Sequence, residues 1–83
     1  MSAEVEHRLH TLLSKVTGEA RPADFDPDGS VLEQYRMDSM AAVEFTVVLD
    51  QEFGIAFGSE MEDLDALDSF TELAALVNRR RST

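Results

Sequence analysis

The apolar residues of this chain recur at helical spacing in three separated places, and nowhere do they alternate with polar residues over the length of a strand. That pattern restricts the fold to helices packed on helices. Val5, Leu9, Leu12, Leu13 and Val16 fall on one face of a helix expected over residues 3–17, with Ser2 as a suitable N-cap and Gly18 as a stop. A second helix is expected from Ser39 to Phe53, capped by Asp38 and ended by Gly54. Met40, Val43, Val47, Phe45, Leu49 and Phe53 read as its broad apolar stripe. Ser59 is placed to cap a short turn over residues 60–64. Ser69 and Glu72 fit a capping box opening a last helix over residues 70–79, with Phe70, Leu73, Ala74, Leu76 and Val77 inward. Arg79, Arg80 and Arg81 suit the negative end of that helix, and residues 79–83 read as a frayed basic tail. The expected fold class is therefore all-α, one domain over residues 1–83, with three main helices and one short one.

Residues 18–37 lie between the first two helices and carry Gly18, Pro22, Pro27 and Gly29. A loop of about 20 residues needs a reason in so small a domain. Phe25, Val31, Leu32 and Tyr35 are expected to pin it to the core, with a short helical turn near Ser30 to Gln34. This loop and the short third helix are expected to be mobile.

Charge narrows the partners. Seventeen acidic residues against seven basic ones give a net charge of −10 over 83 residues, and between Pro22 and Asn78 the one base is Arg36. Such a surface repels nucleic acid and anionic membranes and draws basic partners toward it. No apolar run is long enough to span a bilayer, and the first ten residues do not form a signal peptide. The absence of cysteine removes disulfides, thiolate nucleophiles and cysteine zinc sites, and fits a reducing, cytoplasmic compartment.

Few groups on the chain can do chemistry unaided. Ser39 lacks an oriented base in any recognisable pattern, and no GxSxG turn is present. His7 and His10 share a helix at a spacing zinc can use, but further ligands are needed, and both read as solvated histidines on a polar face. The segment DFDPDGSV opens like a calcium loop through Asp24, Asp26 and Asp28. Tyr35 stands where the closing glutamate belongs, and Pro27 interrupts it, so no metal site is assigned. A helical calcium-dependent interaction module using those three aspartates remains the rival from a different class. Phosphate chemistry suits Ser39 better: unpaired N–H groups and a positive partial charge at a helix N-terminus favour a phosphate attached there.

The stretch YRMDSMAAVEFTVVLDQEFGIAF resembles the signature of the acyl carrier protein family around its modified serine. In that family L-G-x-D-S-L is followed by an apolar residue and a glutamate, then an acid-rich helix end and F-G-I. Here Asp38 and Ser39, then Val43 and Glu44, then Phe53, Gly54 and Ile55 fall at those places, and the resemblance covers nearly the whole chain. It implies a non-enzymatic carrier whose Ser39 bears 4′-phosphopantetheine, donated from coenzyme A by a phosphopantetheinyl transferase that Asp38 helps engage. The arm's terminal thiol, which the chain itself lacks, would hold acyl groups as thioesters. Glu44, Val47 and Asp50 would meet basic docking patches on an acyltransferase or other acyl-loading enzyme, a ketosynthase and further pathway enzymes. A monomer is expected.

The departures from the pattern are informative. Tyr35-Arg36 replaces leucine-glycine. Glycine eases a turn there, so Arg36 is expected to find another conformation and to approach the arm's phosphate or a partner's acid. Ala41 stands where an acid is common. Phe57 is read as a core or cleft residue, and Met37, Met40 and Met61 as core or as adaptable lining for an acyl chain. These differences favour a stand-alone carrier of a polyketide or related secondary-metabolite pathway over a housekeeping fatty-acid carrier. The alternative is an aminoacyl carrier of a nonribosomal peptide pathway, whose G-G-x-S or G-H-S pattern is not seen at Ser39.

Overall fold

The computed structural model describes residues 3–81, so Ser2 as an N-cap lies outside the described residues. Its elements are α1 (Ala3–Thr17), α2 (Val31–Gln34), α3 (Ser39–Phe53), α4 (Met61–Asp65), a 3₁₀ turn (Ala66–Asp68) and α5 (Phe70–Arg81). The fold is an all-α bundle, as the spacing predicts. Helix α1 packs on both α3 and α5, and the 3₁₀ turn sits among α2, α4 and α5. Val5, Leu9 and Leu13 from α1 meet Phe45 and Leu49 from α3 and Leu73 and Val77 from α5, all withdrawn from solvent. Each such side chain contributes about 1.5–3 kcal/mol, so the three faces hold one another where none would hold alone.

The long loop is tied down at several points. Val31 and Tyr35 are fully buried, while Phe25 and Leu32 pack against the core from the side. Gln34 donates to the Asp26 and Ser30 carbonyls and accepts from the Asp26 N–H. The Thr71 N–H donates to the Pro27 carbonyl at 2.9 Å. Ser30 caps α2, its hydroxyl accepting from the Glu33 N–H.

Several local expectations need correction. Glu60, not Ser59, is the N-cap of α4, which is shifted by one residue to Met61–Asp65. The cause is Asp63, fully buried, whose Oδ2 accepts from the Gly58 N–H at 2.8 Å and the Glu60 N–H at 3.2 Å. Those bonds gather the chain before α4 around one carboxylate. Gly58 has φ +102°, and a β-carbon there would stand 3.0 Å from Thr46 Cβ, so only glycine lets this segment cross α3 so closely. The capping box at α5 is half formed: the Ser69 hydroxyl accepts from the Glu72 N–H, but the Ser69 N–H donates to the Ala66 carbonyl and closes the 3₁₀ turn.

The basic end is not frayed over residues 79–81. Helix α5 runs to Arg81, and each of the three arginines turns back onto an acid: Arg79 to Glu62 at 2.8 Å, Arg80 to Asp63 at 2.5 Å, Arg81 to Glu4 at 3.9 Å. Arg8 and Arg81 also lie over the Phe53 ring, while Arg8 pairs with Glu52, which clips α1, α3 and α5 together at one end.

His10 is the largest departure. Only His7 faces solvent; His10 is buried. Its ring stacks on Phe70 at 4.3 Å, meets Phe25 edge-on at 4.7 Å, and its Nδ1 is hydrogen bonded with the Tyr35 hydroxyl. Burial first, then the charges of Arg21 and His7, lower its pKa from 6.5 to about 4, so it is neutral at pH 7. Burial likewise raises the Tyr35 pKa against opposing effects from Ser14 and Arg21. A histidine at i, i+3 from an exposed partner gives no sign of this by spacing. The aromatic Phe25 and Phe70 and the hydroxyl of Tyr35 arrive from three other segments.

Candidate functional site

The site begins with a cap. Asp38 has extended backbone angles and accepts from the Ala41 N–H at 2.8 Å through Oδ1, starting α3 at Ser39. Ser39 is thereby the first helical residue. It is exposed, and among the described residues its hydroxyl makes no hydrogen bond. The capping aspartate is itself exposed beside it. The first N–H groups of α3 also have no intrahelical acceptor, as at any helix start.

The approach to this cap is a second turn motif, at Arg36. With Tyr35 as the C-cap of α2, the Arg36 N–H donates to the Glu33 carbonyl at 3.2 Å and the Met37 N–H to the Leu32 carbonyl at 2.8 Å. This paired pattern is a Schellman motif, whose C′ residue must be left-handed. Arg36 occupies C′ with φ +54°. The expectation that arginine would find another conformation is therefore wrong: it adopts the left-handed turn that glycine would take, because the two hydrogen bonds leave no other route. Met37, at C″, packs with Leu32 against the core, completing the motif.

Helix α3 presents two apolar faces rather than one stripe. At about 100° per residue, Met40, Val43 and Val47 point away from Phe45, Leu49 and Phe53. The structure keeps Phe45 and Leu49 inside and leaves Met40, Val43 and Val47 at 72%, 64% and 50% exposure. Among the described residues, Met61 and Leu64 on α4 are the other large exposed apolar residues. The sequence reading joined Met40, Val43 and Val47 with Phe45, Leu49 and Phe53 in one stripe and gave Leu64 no role beyond the short turn. The signal it missed is angular, since no single contact face covers both sets. Of the three methionines considered as lining, Met37 is half-buried, whereas Met40 and Met61 are exposed; Phe57 is a core residue.

The sequence-predicted site residues divide by this geometry. Glu44 and Val47 are exposed on α3, and Glu44 shares a shallow groove with Arg36, Asp38, Met40, Ala41 and the end of α1 at Val16 and Thr17. Asp50 is half-buried, with Oδ1 shut off from solvent and unpartnered, so it is less available than Glu44. Asp24, Asp26 and Asp28 are not gathered round a point: Asp26 Oδ1 accepts from the Asp28 N–H at 3.0 Å, and among the described residues no three acidic or histidine groups are placed to hold a metal. The buried carboxylate Asp63 belongs to the scaffold. Burial pushes its pKa up, but the bonds from Arg80, Gly58 and Glu60 outweigh that and hold it below 3.8.

The arrangement is thus an exposed serine with a free hydroxyl at the first position of α3, on an acidic bundle. Residues 7–77 match the sequence model of the phosphopantetheine attachment site, and the chain belongs to that family. No curated protein matches the chain. The covalent cofactor of the family is 4′-phosphopantetheine, and its members are carriers rather than catalysts. The donor set fits the group: a free hydroxyl to esterify, with a guanidinium in the groove beside its capping aspartate. Among the described residues no helix is long and apolar enough to cross a membrane.

Proposed function

We propose that Ser39 is the attachment point and that this chain is a stand-alone acyl carrier of a polyketide or related secondary-metabolite pathway. The observation that carries the attachment reading is the free, exposed hydroxyl at the first position of α3, inside the matched span. In the loading step the Ser39 Oγ bonds to a phosphorus of the coenzyme A pyrophosphate. The bond from that phosphorus to the nucleotide phosphate breaks, and the serine proton passes to a base of the transferase. The attached group supplies a thiol that holds cargo as a thioester. The chain's own residues do the rest: Asp38 sets the helix start that presents Ser39, and α3 offers partners an apolar strip of Met40, Val43 and Val47 beside the carboxylate of Glu44.

The partners this surface suits are a phosphopantetheinyl transferase, an acyltransferase or other loading enzyme, and a ketosynthase, each with a basic docking patch. Arg36 and Asp50 contribute at the margins of that surface. The Asp38-Ser39 pair and the acidity support acyl rather than aminoacyl cargo, and a cytoplasmic setting suits a chain without cysteine. Intact mass after incubation with coenzyme A, Mg²⁺ and a broad-specificity transferase tests the attachment. One arm on the wild-type chain and none on Ser39→Ala is expected; equal modification of both would sink the reading. Loading assays with acyl and aminoacyl donors separate the two carrier types.

A further inference from the structure

We infer that Arg36 holds the phosphodiester of the attached arm, which deepens the Ser39 reading and rests on it. Arg36 is exposed, and among the described residues it forms no ion pair. The arginines of α5 and Arg8 are all paired, and Arg21 lies over the Phe25 ring. Arg36 lines the same groove as Asp38 and Glu44 yet pairs with neither. It also occupies a left-handed position that disfavours any side chain, a conformational cost that persists only where surrounding structure or function sustains it.

Electrostatics gives the guanidinium a task. Esterifying Ser39 adds a negative phosphodiester next to Asp38, and among the described residues lining the groove with Asp38 and Glu44 the one cation is Arg36. Without a cation the new charge meets the neighbouring carboxylate uncompensated. A guanidinium three residues away presents donors in a planar fork that suits phosphate oxygens. The same contact would restrain the first bonds of the arm, so Arg36 is a positioning residue for the cargo.

The test compares apo and holo forms of the whole chain. Intact mass first establishes the arm on Ser39. NMR then follows the Arg36 Nε–Hε resonance, and urea unfolding gives the apo-to-holo change in the folding equilibrium for wild type, Arg36→Gln and Arg36→Lys. A shifted Arg36 resonance in the holo form is expected. So is a gain on arm attachment about threefold larger in wild type than in Arg36→Gln, the size of an exposed ion pair. Arg36→Lys should recover part of it, and high salt should erase it. Because each variant is compared with its own apo form, relief of backbone strain cancels, and Arg36→Gly repeats the comparison should Arg36→Gln fold poorly. An arm on Ser39 with an unmoved Arg36 resonance and equal gains overturns this inference alone. A resonance that moves only on adding a partner enzyme overturns it equally. No arm on the wild-type chain overturns both readings.

Discussion

His10 Nδ1 in α1 and the Tyr35 hydroxyl at the end of α2 lie 2.5 Å apart in the core, inside a cage completed by Phe25 and Phe70. The pair explains half of the unusual Tyr35-Arg36 dipeptide. Tyrosine can replace an apolar residue at a fully buried position because a neutral histidine on a different helix satisfies its hydroxyl.

Acid should therefore loosen the protein early. The folded pKa of His10 is about 4 against 6.5 for a free histidine, so below pH 6.5 the unfolded chain binds a proton that the native chain lacks. Stability is expected to fall as pH drops from about 6.5 to 4 and then to level off, losing about 3 kcal/mol. Asp63 works in a separate, lower window: its stabilisation is present above 3.8 and is lost as pH falls through its depressed native value. Urea unfolding at stepped pH measures both. In His10→Phe the upper decline should vanish while the lower one stays.

Replacing Arg36 by glycine should stabilise the apo protein. Its φ of +54° in the Schellman turn costs an L-residue about 1–2 kcal/mol. Glycine's extra freedom in the unfolded chain returns roughly half of that, so a net gain of about 0.5–1 kcal/mol is expected. A midpoint in urea equal to or below that of wild type would show that the side chain supports the fold in some other way.

The cap and the attachment point should separate cleanly. Asp38→Ala removes the acceptor of the Ala41 N–H and should cost about 1 kcal/mol. Ser39→Ala leaves that bond intact and should change the apo thermal midpoint little, while abolishing arm addition. Thermal unfolding and intact mass, run on both variants, check the division.

Asp63 of α4 accepts from the N–H groups of the preceding segment and pairs with Arg80 of the last helix, whose guanidinium also donates to the Ala56 carbonyl at 2.8 Å. Asp63→Ala strands the Gly58 and Glu60 N–H groups and removes the nearest acid of the Arg80 guanidinium, which keeps the Ala56 carbonyl and Glu62, and a loss of about 3 kcal/mol is expected. Arg80→Ala should cost less, because its side chain is partly solvated and the two N–H bonds to Asp63 remain. Amide exchange should rise first over residues 55–65 in both variants and leave α1 protected.

Arm addition should slow with salt. If Glu44 steers basic partners, transferase kcat/KM falls as ionic strength rises, and Glu44→Gln flattens that dependence. Asp50→Asn should have the smaller effect, because one of its oxygens is closed off from solvent. A flat response in the wild-type protein would remove Glu44 from the docking surface.

Local sequence was enough to set the main elements. Periodicity placed α1 and α3 within their observed bounds, because long apolar repeats and strong stops at Asp38 and Gly54 act within one turn of the chain. The D-S pair with its downstream V-E and F-G-I pointed to Ser39 for a similarly local reason: the cap and the presented hydroxyl are neighbours. Packing between distant segments settled the rest. It put His10 inside, since Phe25, Tyr35 and Phe70 close round it from elsewhere. It started α4 at Met61, since a buried Asp63 held by Arg80 gathers the preceding N–H groups. It divided the residues of α3 between core and solvent, since α1 covers only one side of that helix. It made Arg36 left-handed, since two hydrogen bonds at the end of α2 outweigh the conformational preference of an arginine.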